Sequence, residues 1–467
     1  MPVYKTTGED LTSIADAIRT RSGTSASLAY PGDFVNAIRN IPTDGGNPVA
    51  ERGDVNFVDY DGTIRYSYST SEFMTLTALP LNPSHTGLTA QGWNWNLTNA
   101  KAHVSAYKKL DIGQMYTTSD GKTRIYIHLT EGRTSPMLGV CPNGTVDVDW
   151  GDGSTHSTLT GSSVDTVQWT STHNYAEPGY YVISLTVTGS MGIYGEGNTN
   201  TYSGLLRHSS SADKRNSAYS NSIVKVEIGD NVSKIRSHAF YYCTGLSEIT
   251  IPITADITTL TVFGSCYSLK YVVIPDGATK IESYTFDYCY NLKSVSIPHS
   301  VKTFSNNAFS NCDTINNIII PDGATSLGSN IFMSCDNLRD IVIPESIENS
   351  YSNTFYACYT LQYIRLPNNI KTIHNSEFES CSRLTSFTTS ENITSFGLKA
   401  FRGCSNLKEI HVRSSTPPQL FDNLTFDGVP EDFVIYVPYS ADHSILNAYQ
   451  TNSGWSLYAS SIQEETP

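Results

Sequence analysis

The chain has 467 residues, too many for a single hydrophobic core, because domains usually hold roughly 100 to 200 residues. Hydrophobic residues make up 39% and charged residues 16%, a balance typical of folded, β-rich surface proteins, which excludes a largely disordered chain. The formal net charge of −14 excludes nucleic acid and an anionic membrane surface as partners.

No stretch approaches the ~20 apolar residues of a membrane span. Residues 1–18 also lack the apolar core of a secretory signal peptide. We therefore expect no membrane insertion, and a product that stays in the cytosol until something other than general secretion releases it.

Residues 1–44 predict two short amphipathic helices, at 10–21 and 31–41, where apolar residues recur every three or four positions. Neither helix can bury its apolar side alone, so we expect packing on copies of itself, for example as a trimer, or on a larger assembly. The letters LTSIADAIR and FVNAIRNI resemble the N-terminal segment of tail and receptor-binding proteins of phages and prophages of gut Firmicutes. That resemblance implies a helical anchor among other tail proteins, and the alternative is a helical hairpin docked on the next domain.

Residues 45–118 predict a small β module, from the strand alternation in VNFVDYDGTIRYSYS, and a helix at NLTNAKAHVSAYKKL. The start V-x-F-x-x-x-x-G and the end G-x-x-x-x-G-W resemble the Listeria–Bacteroides, or internalin B-type, repeat. The resemblance implies a small β fold.

Residues 119–189 carry TRIYIHL, TVDVDWGDGS and HNYAEPGYYVISLTV, alternating strands bounded by Gly, Asp and Pro turns. The W-G-D-G-S turn and the strand after N-Y-x-x-P-G resemble the polycystic-kidney-disease (PKD) domain, which implies an immunoglobulin-like β-sandwich that acts as a spacer. Asp147, Asp149 and Asp152 suit calcium by residue type. The EF-hand pattern fails, because Gly151 stands where a ligand is needed, so we interpret these residues as a turn and exposed strand charges.

After a Gly-, Ser- and Asn-rich linker at 190–222, a repeat of 23 residues dominates residues 223–412. Each repeat has a cysteine, a phenylalanine three residues before it, Leu or Ile three after it, and a β-branched or aromatic residue six after it, and the residue eight after it is usually Ile. The repeats are numbered 1 to 8 by their cysteines: Cys243, Cys266, Cys289, Cys312, Cys335, Cys358, Cys381 and Cys404.

Positions six and eight predict one short strand for each repeat, and Phe, Cys and Leu at spacings of three predict a helical or 3₁₀ turn with one side inward. A single repeat buries too little apolar surface to fold alone, so the repeats must stack into a solenoid. We interpret the cysteines as small buried core residues with reduced thiols rather than as a metal site or redox centre.

The pattern F-x-x-C-x-x-L-x-x-I-x-I-P resembles the treponemal-type, or BspA-like, leucine-rich repeat family over residues 223 to about 412. Residues 413–467 are similar to the C-terminal cap of that family. Thr389 and Ser390 replace Ile and Pro in repeat 7, so we expect a frayed ladder there.

No metalloprotease, nucleophile-elbow, phosphate-loop or dinucleotide motif occurs, and no paired C-x-x-C. We therefore expect no enzyme, no cofactor and no metal. A glycosidase pair of carboxylates is set by space rather than by spacing in sequence, which leaves a carbohydrate-active enzyme as the second alternative.

In a leucine-rich repeat the strand side is the usual binding side, and positions five and seven after each cysteine point outward from it. Apolar and tyrosine residues at these positions suit recognition of a protein or a glycan. The candidate binding residues are Tyr271, Val273, Ile319, Asp340, Val342, Tyr363, Arg365, Glu409 and His411.

The sequence thus predicts a multidomain, mainly β protein: short N-terminal helices, a small β module, an immunoglobulin-like sandwich and a capped leucine-rich-repeat solenoid. Its predicted role is a phage or prophage tail protein, assembled in the cytoplasm and acting outside the cell, that recognises a host cell-surface protein or glycan. The first alternative is an adhesin on the bacterial cell surface.

Overall fold

The computed structural model describes residues 53–198, 201–208, 217–257, 261–348 and 351–466. The expected helical segment, residues 1–44, lies outside the described residues. The described part is mainly β-structure with few helices, and its C-terminal half is a solenoid, as the sequence predicts.

Residues 53–118 form a module with a four-stranded sheet and two helices. Its elements are β1 (Val55–Val58), β2 (Ile64–Tyr68), α1 (Thr70–Thr75), β3 (Leu88–Trp93), α2 (Leu97–Tyr107) and β4 (Leu110–Thr118). The strand order is β2-β1-β4-β3, with β1 parallel to β4. The helix predicted from NLTNAKAHVSAYKKL is confirmed as α2: the Asn96 side chain caps its first turn, and it ends where Lys108 turns left-handed.

The next unit continues into the first strands of the solenoid. Its elements are β5 (Thr123–Leu129), β6 (Pro136–Asp149), β7 (Ser157–Ser162), β8 (Gln168–Trp169), β9 (Gly179–Ile193), β10 (Glu196–Asn198), β11 (Thr201–Ser203), β12 (Leu206–His208), α3 (Ser217–Ser220), β13 (Ile223–Glu227), β14 (Val232–Ile235) and β15 (Glu248–Thr250). One sheet has the order β12-β6-β9-β5-β13-β15. Because β13 pairs with β5 on one side and with β15 on the other, this unit and the solenoid share a hydrogen-bonded sheet.

The landmark residues of the expected PKD-like sandwich share one core. Trp150 is fully buried, its ring stacks on His173 with centroids 4.4 Å apart, and its carbonyl accepts a hydrogen bond of 2.9 Å from the Tyr175 hydroxyl. Nothing in these contacts distinguishes a PKD domain from another β fold, so the resemblance stays a prediction.

The expected linker at 190–222 is corrected by the structure. β9 runs on to Ile193, and β12, inside this segment, pairs antiparallel with the start of β6. Leu205 and Leu206 are buried, so apolar burial makes this part of the segment a piece of the sheet rather than a spacer.

Seven of the eight solenoid repeats contribute a short strand at positions five to seven, with repeat 4 as the exception, and most repeats add a second one that the sequence did not predict. The first set continues as β16 (Tyr271–Val273), β18 (Ser294–Ser296), β21 (Asp340–Val342), β22 (Tyr363–Arg365), β24 (Ser386–Thr388) and β26 (Glu409–His411). The second set is β17 (Lys280–Ile281), β19 (Thr303–Phe304), β20 (Ser326–Leu327), β23 (Thr372–Ile373), β25 (Ser395–Phe396) and β27 (Gln419–Leu420). Where strands of neighbouring repeats pair, they pair in parallel and residue for residue, as between repeats 2 and 3, repeats 5 and 6, and repeats 7 and 8.

The phenylalanines form a continuous buried stack, as predicted. Ring centroids of neighbouring repeats lie 5.2 to 5.8 Å apart. Each cysteine thiol from Cys266 onward donates a hydrogen bond to the phenylalanine carbonyl of the preceding repeat, as from Cys312 to Phe286 at 3.2 Å. All nine cysteines are buried free thiols, and burial raises the pKa of Cys312 well above its usual value. The prediction of buried, reduced core cysteines agrees with this geometry.

The predicted helical turn around each cysteine is instead a run of tight turns containing two residues with left-handed backbone. These stand one and five residues before the cysteine, and most are not glycine, for example Tyr284 and Tyr288, both with φ of 60°. The left-handed backbone directs the N–H along the solenoid: the Tyr288 amide donates to the Ser310 carbonyl of the next repeat at 3.0 Å. An inter-repeat ladder of hydrogen bonds therefore replaces a helix on this side.

The last elements are β28 (Val434–Val437), α4 (Ser444–Thr451), a 3₁₀ helix (Trp455–Ser461) and β29 (Ile462–Glu464). They extend one parallel sheet in the order β24-β26-β28-β29, and Phe426 extends the phenylalanine stack. The expected fraying in repeat 7 is wrong, because the Thr389 amide donates to the His411 carbonyl and both hydroxyls of Thr389 and Ser390 find backbone acceptors. Among the described residues, no helix has the length and apolar character to cross a membrane.

Candidate ligand-binding surface

The outward positions five and seven of the repeats form a surface that we call the strand face. The structure divides it into a covered half, in repeats 2 and 3, and an open half, in repeats 5 to 8. The cover is the 53–118 module, which packs directly on the solenoid.

Tyr271 and Val273, two of the candidate binding residues, lie in the covered half and are only 4% and 6% exposed. They form one cluster with Val58 and Met115 of the module. The prediction that they are exposed and available to a ligand is wrong, because the apolar positions of repeat 2 pack against apolar residues of the same chain.

The contact between module and solenoid is closed by hydrogen bonds as well as by apolar packing. The Asn94 side-chain amide donates to the carbonyls of Ile274 and Ser296, at 3.0 and 3.1 Å. The indole N–H of Trp95 donates to the Ile297 carbonyl at 2.8 Å. Asn94 and Trp95 are buried, so separating the two parts would leave polar groups of both without partners.

Repeat 4 marks the boundary between the two halves. Ile319 is half-buried and packs against the apolar core of the module. Its neighbour Asn317 donates its side-chain amide to Asp111 at 2.9 Å. Ile319, the candidate residue, therefore packs against the module on one side and borders the open surface on the other.

The open half begins in repeats 5 and 6, where four candidate residues come together. Tyr363 is 56% exposed, and Val342 is half-buried. Asp340 pairs with Lys109 of the module at 3.1 Å, and Arg365 pairs with Glu345 at 3.2 Å. Charged and aromatic groups here face solvent beside the edge of the module.

A cleft of about 250 Å³ lies where the module meets this open half. Ile319 and Val342 line it from the solenoid, Tyr107 and Lys109 line it from the module, and Tyr363 stands at its side. His103 of α2 is also part of the wall; it is 1% exposed, and neither ring nitrogen has a hydrogen-bond partner among the described residues. Sequence reasoning missed the module residues, because nothing in the sequence places α2 against repeats 4 and 5.

Glu409 and His411, the last two candidates, lie in repeat 8 next to the C-terminal residues. The His411 ring stacks on Tyr436 with centroids 4.9 Å apart, and its Nδ1 lies 2.8 Å from a Glu465 carboxylate oxygen. Glu409 lies 3.8 Å from the other ring nitrogen. Contacts within the chain occupy most of the polar atoms of His411.

The carboxylates weighed for calcium in the 119–189 unit have partners of their own. Asp147 lies 2.8 Å from His156, Asp152 lies 2.8 Å from His173, and Asp149 accepts the Gly151 amide. Across the described part of the chain, no three His, Cys, Asp or Glu side chains are arranged to hold a metal ion.

Comparison with known proteins adds to this geometry. Among solved structures, the chain is similar to a leucine-rich repeat protein from Bacteroides ovatus, with 24% identity over 52% of this chain and 66% of that one, just under two thirds, and a TM-score of 0.40. It is also similar to a T. pallidum leucine-rich repeat protein (26% identity, 39% and 78% covered, TM-score 0.31). A third is a leucine-rich cell surface protein from Faecalibacterium prausnitzii (25% identity, 50% and 77% covered, TM-score 0.28).

No curated protein matches the sequence. A family model described as BspA type Leucine rich repeat region, in six copies, matches residues 214–336 and 302–426. Its match covers every repeat numbered above, so residues 214–426 are similar to leucine-rich-repeat regions of the BspA type.

Proposed function

We propose that the protein is a receptor-binding or adhesion protein that attaches to a cell-surface protein or glycan through the open half of the strand face. The observation that carries this proposal is the exposed group of Tyr363, Arg365 and Asp340, together with the half-buried Val342, beside the cleft. A rigid aromatic ring, flanked by charged groups and a small apolar recess, offers contact area at low entropic cost to a ligand. The remaining candidates, Glu409 and His411, extend this surface toward the C-terminus.

We further propose that this attachment serves a phage or prophage tail and that no catalysis accompanies it. The support for a tail is the resemblance of residues 1–44 to tail proteins, together with the order of a PKD-like unit and a solenoid along the chain. In this proposal the N-terminal segment binds other tail proteins or copies of itself, and the solenoid meets the host.

The experiment measures attachment of the fluorescently labelled full chain to whole cells of a panel of gut Firmicutes. The variant Tyr363→Ala with Arg365→Ala should lose most attachment to the strain that binds the natural chain. Tyr359→Ala is the matched control, because Tyr359 is 49% exposed yet lies outside the strand face. Attachment that survives the double change, or attachment to no cell tested, would overturn the proposal.

A further inference from the structure

A row of cationic side chains without ion-pair partners among the described residues runs along the solenoid from repeat 2 to repeat 8. It borders both the covered and the open half of the strand face. Lys270, Lys293, Arg339 and Lys408 all stand four residues after a cysteine, and Arg383 stands two residues after one. We call these five residues the basic edge. All five are exposed, and none forms an ion pair with another described residue.

The backbone places these cations in line. The Lys293 amide donates to the Lys270 carbonyl at 2.9 Å, and the Lys408 amide donates to the Thr385 carbonyl of the repeat before it at 2.9 Å. Successive repeats are therefore one strand spacing apart, roughly 4.8 Å, so the basic edge extends over roughly 29 Å from repeat 2 to repeat 8.

A second observation points to a ligand on this edge. A polar groove of about 550 Å³ lies on it in repeats 6 to 8, lined by Gln362, Arg383, Thr385 and Asn406. The Asn406 side-chain amide donates to the Ser382 carbonyl, and this leaves its amide oxygen to accept hydrogen bonds. Asn291 and Asn337 occupy the same position in repeats 3 and 5 and make the equivalent bond.

We propose that the basic edge binds a linear glycan that carries carboxylates, lying along the solenoid. The inference deepens the function proposed above and rests on it, since it names the ligand chemistry of a surface that borders the open half. Arginine presents a planar fork that matches a carboxylate, and the amides and hydroxyls between the cations match sugar hydroxyls. Charges separated by one or two repeats fit a polymer on which acidic and neutral sugar rings alternate.

Charge and composition argue for this ligand over its competitors. The whole chain is strongly negative, so a polyanion is attracted only where positive charge is locally concentrated, as it is along this row. Proteins that bind single-stranded nucleic acid supply aromatic rings on which bases stack. Positions two and four after the cysteines hold no aromatic residue in any of the eight repeats, so the positions that carry the cations supply no ring on which bases could stack.

The test uses the full chain and four polymers in biolayer interferometry: hyaluronan decasaccharide, a glycerol phosphate polymer, dextran and oligothymidylate. Hyaluronan should bind best and dextran should not bind. Because the attraction is ionic, affinity for hyaluronan should fall steadily as salt rises. Arg339→Gln with Arg383→Gln should weaken hyaluronan binding by at least about tenfold.

Lys302→Gln with Lys371→Gln is the control, because it removes two exposed positive charges from other positions of the repeat and should leave binding unchanged. Tighter binding of oligothymidylate or of the glycerol phosphate polymer, or equal affinity of both double variants, would refute the carboxylate glycan. Whole-cell attachment separates the two proposals. Attachment that needs Tyr363 but ignores the Arg339 and Arg383 changes refutes only the basic-edge inference, whereas hyaluronan binding without attachment to any cell refutes only the proposed function.

Discussion

The two halves of the strand face have the same backbone and opposite roles. In repeat 2, Tyr271 and Val273 are buried under the module, while in repeat 6 the equivalent Tyr363 is exposed. The difference does not come from the solenoid, whose strands pair in the same parallel register in both halves. It comes from where the 53–118 module docks, so a repeat position acquires its role only from what lies against it.

The largest expected effect comes from destabilising the 53–118 module, which should expose the covered half of the strand face. Asp59 is fully buried and bonds to Arg65 at 2.7 Å and to His85 at 2.8 Å. Asp59→Asn should lower the free energy of unfolding of the module by roughly 3 to 5 kcal/mol, since it removes the carboxylate from a buried ion pair. Hydrogen exchange should then quicken at 271–274 and 294–297 but not at 363–366. Asp61→Asn, an exposed neighbour, should change neither.

The same substitution predicts a pH dependence. Burial acts to raise the pKa of Asp59, but its contacts with His85 and Arg65 outweigh burial and lower the pKa below the usual value. A lowered folded-state pKa means that this stabilisation is present above the unfolded value, near pH 4, and is lost as pH falls through the folded value. The difference in free energy of unfolding between the natural chain and Asp59→Asn should therefore become smaller only at acidic pH. A gap that is constant down to pH 2 would contradict the ion-pair explanation.

The second test compares equivalent tyrosines. Tyr271→Ala should cost about 3 kcal/mol in urea unfolding, because it empties a packed contact between module and solenoid. Tyr363→Ala should cost less than about 0.5 kcal/mol, since its ring is mostly in solvent. Equal costs at the two positions would mean that the cover is not closed in solution.

The sequence predicts structural features that recur in every repeat and features that depend on neighbouring residues. The 23-residue period predicted the phenylalanine stack, the buried cysteines and, in seven of the eight repeats, the strand at positions five to seven. The sequence pattern recurs eight times, and only stacking of the repeats buries its apolar residues. Helix α2 was also predictable, since Asn96 and the apolar spacing after it are local signals. These elements needed no knowledge of distant contacts.

The cover lay beyond such reasoning. Asn94 and Trp95 meet residues 202 positions away in sequence, Ser296 and Ile297. Such a contact is made once and leaves no periodic pattern. For the same reason the exposure of Val273 was misjudged: an apolar residue on an outward strand position has the same sequence signature whether a ligand or another module covers it. The open half of the strand face was thus predictable from the sequence, whereas the covered half depends on a tertiary contact with the module.

The third test fills the space between module and solenoid. A methyl group at Gly113 would lie 2.7 Å from a Val273 methyl and 2.8 Å from the Ser296 Cβ. Gly113→Ala should therefore cost about 2 kcal/mol, because a packed contact tolerates added volume poorly. Val273→Ala in the same chain makes room for the new methyl, so the double change should cost less than the sum of the single ones in a double-mutant cycle. Strict additivity would show that the two residues do not touch.

The test with the smallest expected effect concerns the turns before each cysteine, where the covered and open halves should behave alike. In both halves the residue before each cysteine has a left-handed backbone. It is Tyr288 in repeat 3, with φ of 60°, and Ser334 in repeat 5, with φ of 57°. Asparagine tolerates this backbone better than either residue and already occupies it as Asn311. Tyr288→Asn and Ser334→Asn should therefore each stabilise by about 0.5 kcal/mol in urea unfolding. Tyr359→Asn, exposed but without positive φ, should not. Gains that differ between repeats 3 and 5 would show that the cover reaches past the strand face and changes the packing of the opposite side of the solenoid.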